Sequence, residues 1–225
     1  MPALSKDGPI WTLDLGTSEN RFSPDFLTEV DAALDEIAGS DEPAALLTTG
    51  SDKFFSNGLD LEWIMANAGE LPSYVDRIHA MFAKVLTLPV PTVAAVNGHA
   101  FGGGAMLAIA HDFRVMRSDR GFFCFPEADI RIPFTEGMNA LIVAKTTPQT
   151  QVASMTTGRR FGGADAAAAG LVDEAVTLEE LRDAAVAKVA DLAGKDRRTL
   201  GTIKQRLYAT ASAALLEPQP ADLTF

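Results

Sequence analysis

An α/β layered fold is predicted, and three features of the sequence predict it. Two fully apolar runs, AALLTTG (44–50) and PTVAAVNG (91–98), read as strands and alternate with stretches of helical periodicity. Both runs end in glycine, as strands do on entering a loop. The 225 residues are 47% hydrophobic and 22% charged, a globular composition with enough chain for one large core. Strands that are apolar at every position need cover on both faces, which puts helices on either side of the sheet.

Taken in order, PIWTLDL (9–15) is an early strand. Ser23-Pro24-Asp25 opens the helix DFLTEVDAALDEIAG, with Ser23 as its cap and Pro24 in its first turn. After AALLTTG come the loop SDKFFSNGLD (51–60) and the helices LEWIMANAG and SYVDRIHAMFAKVLTL. PTVAAVNG then leads into the buried helix GGGAMLAIAHD, and FRVMRSD and GFFCF are expected to pair as strands. RRFGGADAAAAGLVDEAVT reads as turn, small-residue helix and strand. LEELRDAAVAKVADLAG and KDRRTLGTIKQRLYATASAALL are closing helices, and EPQPADLTF is expected to be loose. With no linker in sight, one domain is expected: a core over 1–175 and a helical region over 176–225.

Composition excludes several classes of function. A net charge of −11 with no polybasic block argues against nucleic acid as a partner. The single cysteine, Cys124, lies in the apolar run FFCF and reads as a buried structural thiol, not a nucleophile. His79, His99 and His111 are dispersed and no G-x-S-x-G elbow occurs, so neither a zinc site nor a hydrolase triad is expected, and no metal. Residues 85–110 carry no formal charge, but Pro89, Pro91, Asn97, His99 and four glycines fall inside, so they read as strand, loop and buried helix. No membrane association is expected. Without a secretory signal or a peroxisomal tripeptide, the cytoplasm is the expected compartment.

The chemistry is expected at two loops. Each apolar strand runs into a glycine-containing loop and then a helix, whose first N–H groups point outward with the positive end of the dipole. A polarised carbonyl oxygen is the natural guest there. Gly102-Gly103-Gly104 would let a substrate approach the backbone, with Gly103 N–H as one donor and Leu59 N–H, from FFSNGLD, as a second. Each donor in such an oxyanion hole contributes about 3 to 4 kcal/mol. On the glycines alone, a second account stays open: they let a helix pack tightly on the sheet.

KFFSNGLDL, PTVAAVNGHAFGGGAMLAIAHDFRVM, FPEADIRI and GLVDEAV, in this order, resemble the enoyl-CoA hydratase/isomerase (crotonase) family over nearly the whole chain. The resemblance implies a crotonase-like spiral of ββα units with C-terminal helices, usually assembled as a homotrimer or hexamer. It implies an acyl thioester of coenzyme A as substrate and no further cofactor. Leu59 and Gly103 fall on the family's two oxyanion donors, and Phe55, Asn57, Gly58 and Gly102 on the surrounding substrate-binding loops. Lys53 matches a position that contacts the CoA moiety. Lys204 resembles a lysine that meets the nucleotide phosphates; for both lysines a solvated surface charge is the alternative.

Hydratases of this family hold water between two glutamates. At the first position this sequence has Met106, which cannot accept a proton and either lines the substrate pocket or is ordinary core filler on a buried helix. The second glutamate is present as Glu127 in FPEADIRI, where a dry pocket should raise its pKa. Asp129 is a partner or a solvated side chain, and Glu136 a reserve acid, because the ungapped register of dienoyl isomerases places Thr135 at that position. His99 is either a CoA-pocket residue or structural, and Asp112 and Arg114 are expected to tie helix to strand. The pattern, including the HDFRVMRSDRGF passage and no E-G-x-x-A-F-like stretch after ASAALLEPQP, resembles the short Δ3,Δ2-enoyl-CoA isomerases. The expected function is therefore a one-glutamate double-bond shift. An enoyl-CoA hydratase or another reaction of the family, and a non-catalytic acyl-CoA-binding protein, are the alternatives.

Overall fold

The computed structural model describes residues 1–224. The antiparallel strands β1 (Ala3–Asp7) and β2 (Ile10–Asp14) lead to helix α1 (Pro24–Gly39). Ser23 caps α1, its Oγ accepting from Phe26 N at 3.2 Å. A repeating unit follows: a strand of the main sheet, a short strand of a second sheet, then a helix. It appears first as β3 (Ala45–Thr49), β4 (Phe54–Ser56), the short helix α2 (Leu61–Ala66) and α3 (Leu71–Thr87). It recurs as β5 (Thr92–Val96), β6 (His99–Phe101) and α4 (Gly103–Ala110). The third turn comprises β7 (Phe113–Arg117), β8 (Phe123–Cys124) and the single-turn α5 (Glu127–Ile130). Helices α6 (Glu136–Lys145), α7 (Pro148–Met155) and α8 (Gly163–Ala168) precede β9 (Glu174–Val176). Helices α9 (Leu178–Val189), α10 (Arg197–Leu207) and α11 (Ala209–Leu216) close the chain.

The main sheet has the order β1-β2-β3-β5-β7-β9, parallel from β2 onward, and the second sheet is β4-β6-β8, also parallel. Side chains alternate across the main sheet. Leu46, Ala94 and Val96 join the large core with α1, α3 and α4, whereas Leu47, Val93 and Ala95 pack beneath Leu181, Ala185 and Val189 of α9. That two-sided burial is why AALLTT and TVAAV lack polar alternation.

Three local expectations change. FRVMR and FC do not pair with each other: β7 joins β5 in the main sheet, and β8 joins β6 in the second. The turn at Gly121 (φ 93°), packed on the Gly98 backbone, redirects the chain between sheets. The long terminal helix breaks at Tyr208 into α10 and α11. The closing segment is held, not loose, since Gln219 N–H donates to Asp76 Oδ1 at 2.9 Å and Leu223 packs on the core. Its last residue, Phe225, lies outside the described residues. No described helix is long and apolar enough to cross a membrane.

Candidate active site

The loop after β4 and the start of α4 meet at one cavity of about 500 Å³. Asn57, Leu59, Gly102, Gly103 and Glu127 line it. Gly102 (φ 49°, ψ −119°) occupies a backbone region closed to side chains, and its carbonyl turns into the helix to accept Met106 N at 3.0 Å. Because a trans peptide points its C=O and N–H in opposite directions, the next amide, Gly103 N–H, is aimed out of the helix. The same holds for Leu59: Gly58 C=O accepts Phe22 N at 2.8 Å, which turns Leu59 N–H away from Phe22. Neither amide donates to another group among the described residues.

The other two glycines of the run have packing reasons. A Cβ on Gly104 would lie 2.1 Å from Ser56 O, and one on Gly103 would lie 2.9 Å from Leu59 Cδ1. Gly58 sits behind the cavity wall, where a Cβ would come within 2.6 Å of Gly103 N. Both accounts of the glycines therefore hold, at different positions: Gly102 shapes the backbone at the cavity, and Gly103 and Gly104 let α4 press on the first loop.

Glu127 follows Pro126 at the end of β8 and starts α5. Its carboxyl is buried, Oε2 has no hydrogen-bond partner, and Oε1 faces Gly102, where an added Cβ would sit 3.4 Å away. Burial pushes its pKa up to about 7, against a small opposing pull from its own backbone N–H. Glu127 also borders a second, more open cavity of about 590 Å³, which holds Arg131, Thr135, Glu136 and Asn139. Thr135 caps α6, accepting Met138 N at 3.2 Å. Glu136 thus lies in this second cavity, apart from the two amides.

The sequence profile of the enoyl-CoA hydratase/isomerase family matches residues 10–224. The chain belongs to this family. An Arabidopsis thaliana enoyl-CoA delta isomerase is 37% identical over 222 residues, covering 92% of each chain. A Shigella flexneri carnitinyl-CoA dehydratase is 36% identical over 77% of this chain and 66% of its own. An enoyl-CoA hydratase/isomerase family protein from Pseudomonas syringae superposes with a TM-score of 0.88 at 25% identity, over 95% of this chain and 93% of that one. The fold is the crotonase fold, and the ββα repeat is its spiral.

Four candidate binding residues lie away from the cavity that holds Glu127. Phe55 and Met106 are fully buried in the main core and line neither cavity, because each points back from its loop or helix into the apolar interior. Lys204 is turned inward: its Nζ donates to Val90 O at 2.7 Å and to Asp112 Oδ2. Asp112 also accepts Thr92 N, and Arg114 reaches Leu171 O and His111 O, so this buried set ties α10, β5 and β7 together. Its partners are internal, so Lys204 presents no free ammonium to a phosphate. Lys53 is exposed and lies over Phe54, in a shallow cavity with Arg120, outside the one that holds Glu127.

Of the remaining candidates, Asp129 packs on Gly158, and His99 is caged by Phe54, Phe101 and Phe122. Burial, helped by the positive charges of Lys53, Arg120 and Arg160, holds the His99 ring below the usual histidine pKa. Cys124 is buried, its thiol pushed up to about 11 by desolvation. No group of three or more His, Cys, Asp or Glu among the described residues is placed to hold a metal. Arg21, Glu62, Arg160 and Met138 also line the cavity, which no motif in the sequence signals directly. They come from four separate segments, and only Arg160, in TGRRF, lies in a stretch the motifs mark.

Proposed function

We propose that this family member is a Δ3,Δ2-enoyl-CoA isomerase acting on an acyl thioester of coenzyme A. The observation that supports it is the pairing, in one cavity, of a buried carboxyl with a raised pKa and two backbone amides without acceptors among the described residues. Glu127 removes a proton from C2 of a 3-enoyl thioester. The electrons move into the thioester carbonyl, giving a dienolate whose oxygen accepts hydrogen bonds from Leu59 N–H and Gly103 N–H. The protonated Glu127 then returns the proton at C4, the C2–C3 double bond forms, and the enzyme is regenerated. One base serves both carbons when they lie on the same face.

The same cavity favours isomerisation over hydration. A hydratase needs a second carboxylate to hold its water. The other cavity carboxylate is Glu62, which is exposed at the rim and already paired with Arg21 at 3.0 Å. Arg160, which lines the cavity, is read as meeting the anionic part of the CoA moiety, and the assembly is read as a homotrimer or hexamer. The test is an absorbance assay with 3-hexenoyl-CoA and longer 3-enoyl thioesters. Conversion to the conjugated 2-enoyl isomer, faster than hydration of crotonyl-CoA, is expected. Faster hydration would overturn the assignment, and tight binding without turnover of any thioester would replace it with a non-catalytic role.

A further inference from the structure

Tyr74, on α3, lines no part of the substrate cavity, yet its hydroxyl closes a ring of hydrogen bonds around Leu59. It accepts Asp60 N–H at 2.9 Å and donates to Phe22 O at 2.8 Å, while Phe22 N donates to Gly58 O at 2.8 Å. Gly58 C=O and Leu59 N–H belong to one peptide plane, and Leu59 C=O and Asp60 N–H to the next. Both planes that flank Leu59 are therefore pinned, one directly by the Tyr74 hydroxyl and one through Phe22. Rotation of either plane would swing Leu59 N–H off its aim into the cavity.

The phenol itself has little freedom. Tyr74 is 2% exposed, and its ring stacks on Trp63 with centroids 4.9 Å apart. Burial pushes its pKa up to about 12, so the hydroxyl keeps its proton and can donate and accept together. A phenylalanine would fill the same space and keep the stack; only the oxygen separates the two side chains.

We propose that Tyr74 is a positioning residue for the oxyanion hole, its hydroxyl setting the aim of Leu59 N–H through Asp60 and Phe22. The role rests on Leu59 being an oxyanion donor. It predicts an effect concentrated on the charged intermediate, because a misaimed donor weakens most where negative charge develops on the oxygen.

The test is Tyr74→Phe in the full chain, read in two ways. Turnover of a 3-enoyl-CoA is expected to show kcat lowered about ten- to thirtyfold with KM within about twofold, short of the 10²–10³ that follows outright loss of a donor. Binding of a para-amino-substituted cinnamoyl thioester of CoA reports on the hole without turnover, because hydrogen bonds to its carbonyl move its absorbance to longer wavelength. That shift should shrink in Tyr74→Phe while Kd changes less than about threefold. A wild-type shift and a wild-type kcat in Tyr74→Phe, or a loss lying wholly in KM, overturns the role of Tyr74 alone. No shift in the wild-type protein overturns the oxyanion reading, and the role of Tyr74 with it. If Tyr74→Phe does not fold, para-aminophenylalanine at position 74, which keeps a donor but accepts poorly, decides the matter. A reduced shift supports the proposal, and a full one overturns it.

Discussion

At the scale of single residues, the base role proposed for Glu127 comes at the expense of stability. Its carboxyl is buried with one oxygen unpartnered, and its pKa rises from 4.5 to about 7. Glu127→Gln should lower isomerase turnover at least about a hundredfold while acyl-CoA binding persists, since the amide keeps the shape but loses the base. The same change should raise the midpoint of thermal unfolding at neutral pH. A shift of that size corresponds to at most about 3 kcal/mol of charge burial, which the amide avoids. Activity retained in Glu127→Gln would move the proton transfer elsewhere. In the wild-type enzyme the base must be ionised, so kcat/KM should climb with pH through about 7. An acid limb near 4.5 would mean that burial does not control this group.

Among the elements, α4 and α10 reverse two expectations about side chains. Met106 lies on α4, where every residue from Gly103 to Ala110 is buried. Met106→Glu therefore places a carboxylate in the apolar core, not opposite Glu127. The expected outcome is a loss of several kcal/mol of folding stability in urea titration, with no gain of 2-enoyl-CoA hydration. Appreciable hydration by a well-folded Met106→Glu protein would show that the side chain reaches the cavity. On α10, Lys204→Met removes the ammonium that meets Asp112 and Val90 O. KM for CoA thioesters should stay within about twofold while the thermal midpoint falls, because Asp112 loses a buried partner. A tenfold rise in KM with unchanged stability would restore Lys204 as a phosphate contact.

Across the whole molecule, two buried groups titrate in opposite directions over the same pH range. His111 bridges Leu107 O and Thr48 Oγ1 between α4 and β3, and burial drives its pKa down to about 4. Between about pH 4 and 6.5 the unfolded histidine holds a proton that the folded one lacks, so its contribution to stability grows with rising pH. Glu127 does the reverse. Between 4.5 and about 7 the folded carboxyl keeps a proton that the unfolded one has lost, so its contribution falls with rising pH. Their contributions are each about 3 kcal/mol at most and offset one another in the wild-type protein. Urea unfolding from pH 4.5 to 6.5 should therefore rise more steeply with pH in Glu127→Gln than in wild type. Parallel curves would remove the pKa shift of Glu127 from the balance.

Features controlled by short stretches of chain are legible before the fold is known. AALLTT and TVAAV announce strands buried on both faces because no position in them tolerates water. SNGLD and FGGGAM place two unpaired amides at helix and loop starts, since glycine alone permits the backbone that Gly102 adopts. Glu127 was legible because it follows the apolar run FFCF and Pro126, at the position where the family resemblance puts its second glutamate. Tertiary structure decided which side chain faces the cavity. Phe55 and Met106 sit in the motifs and Lys204 in a closing helix, yet all three turn inward, whereas Arg21 and Met138 reach the cavity from distant segments. It also decided the pairing of β7 and β8, which depends on which earlier strand edge each one meets. The physical reason is common to these cases. Backbone conformation follows from neighbouring residues, but side-chain burial and partnership follow from surfaces brought together across the fold, such as α3, which offers Tyr74 to a loop 14 residues earlier.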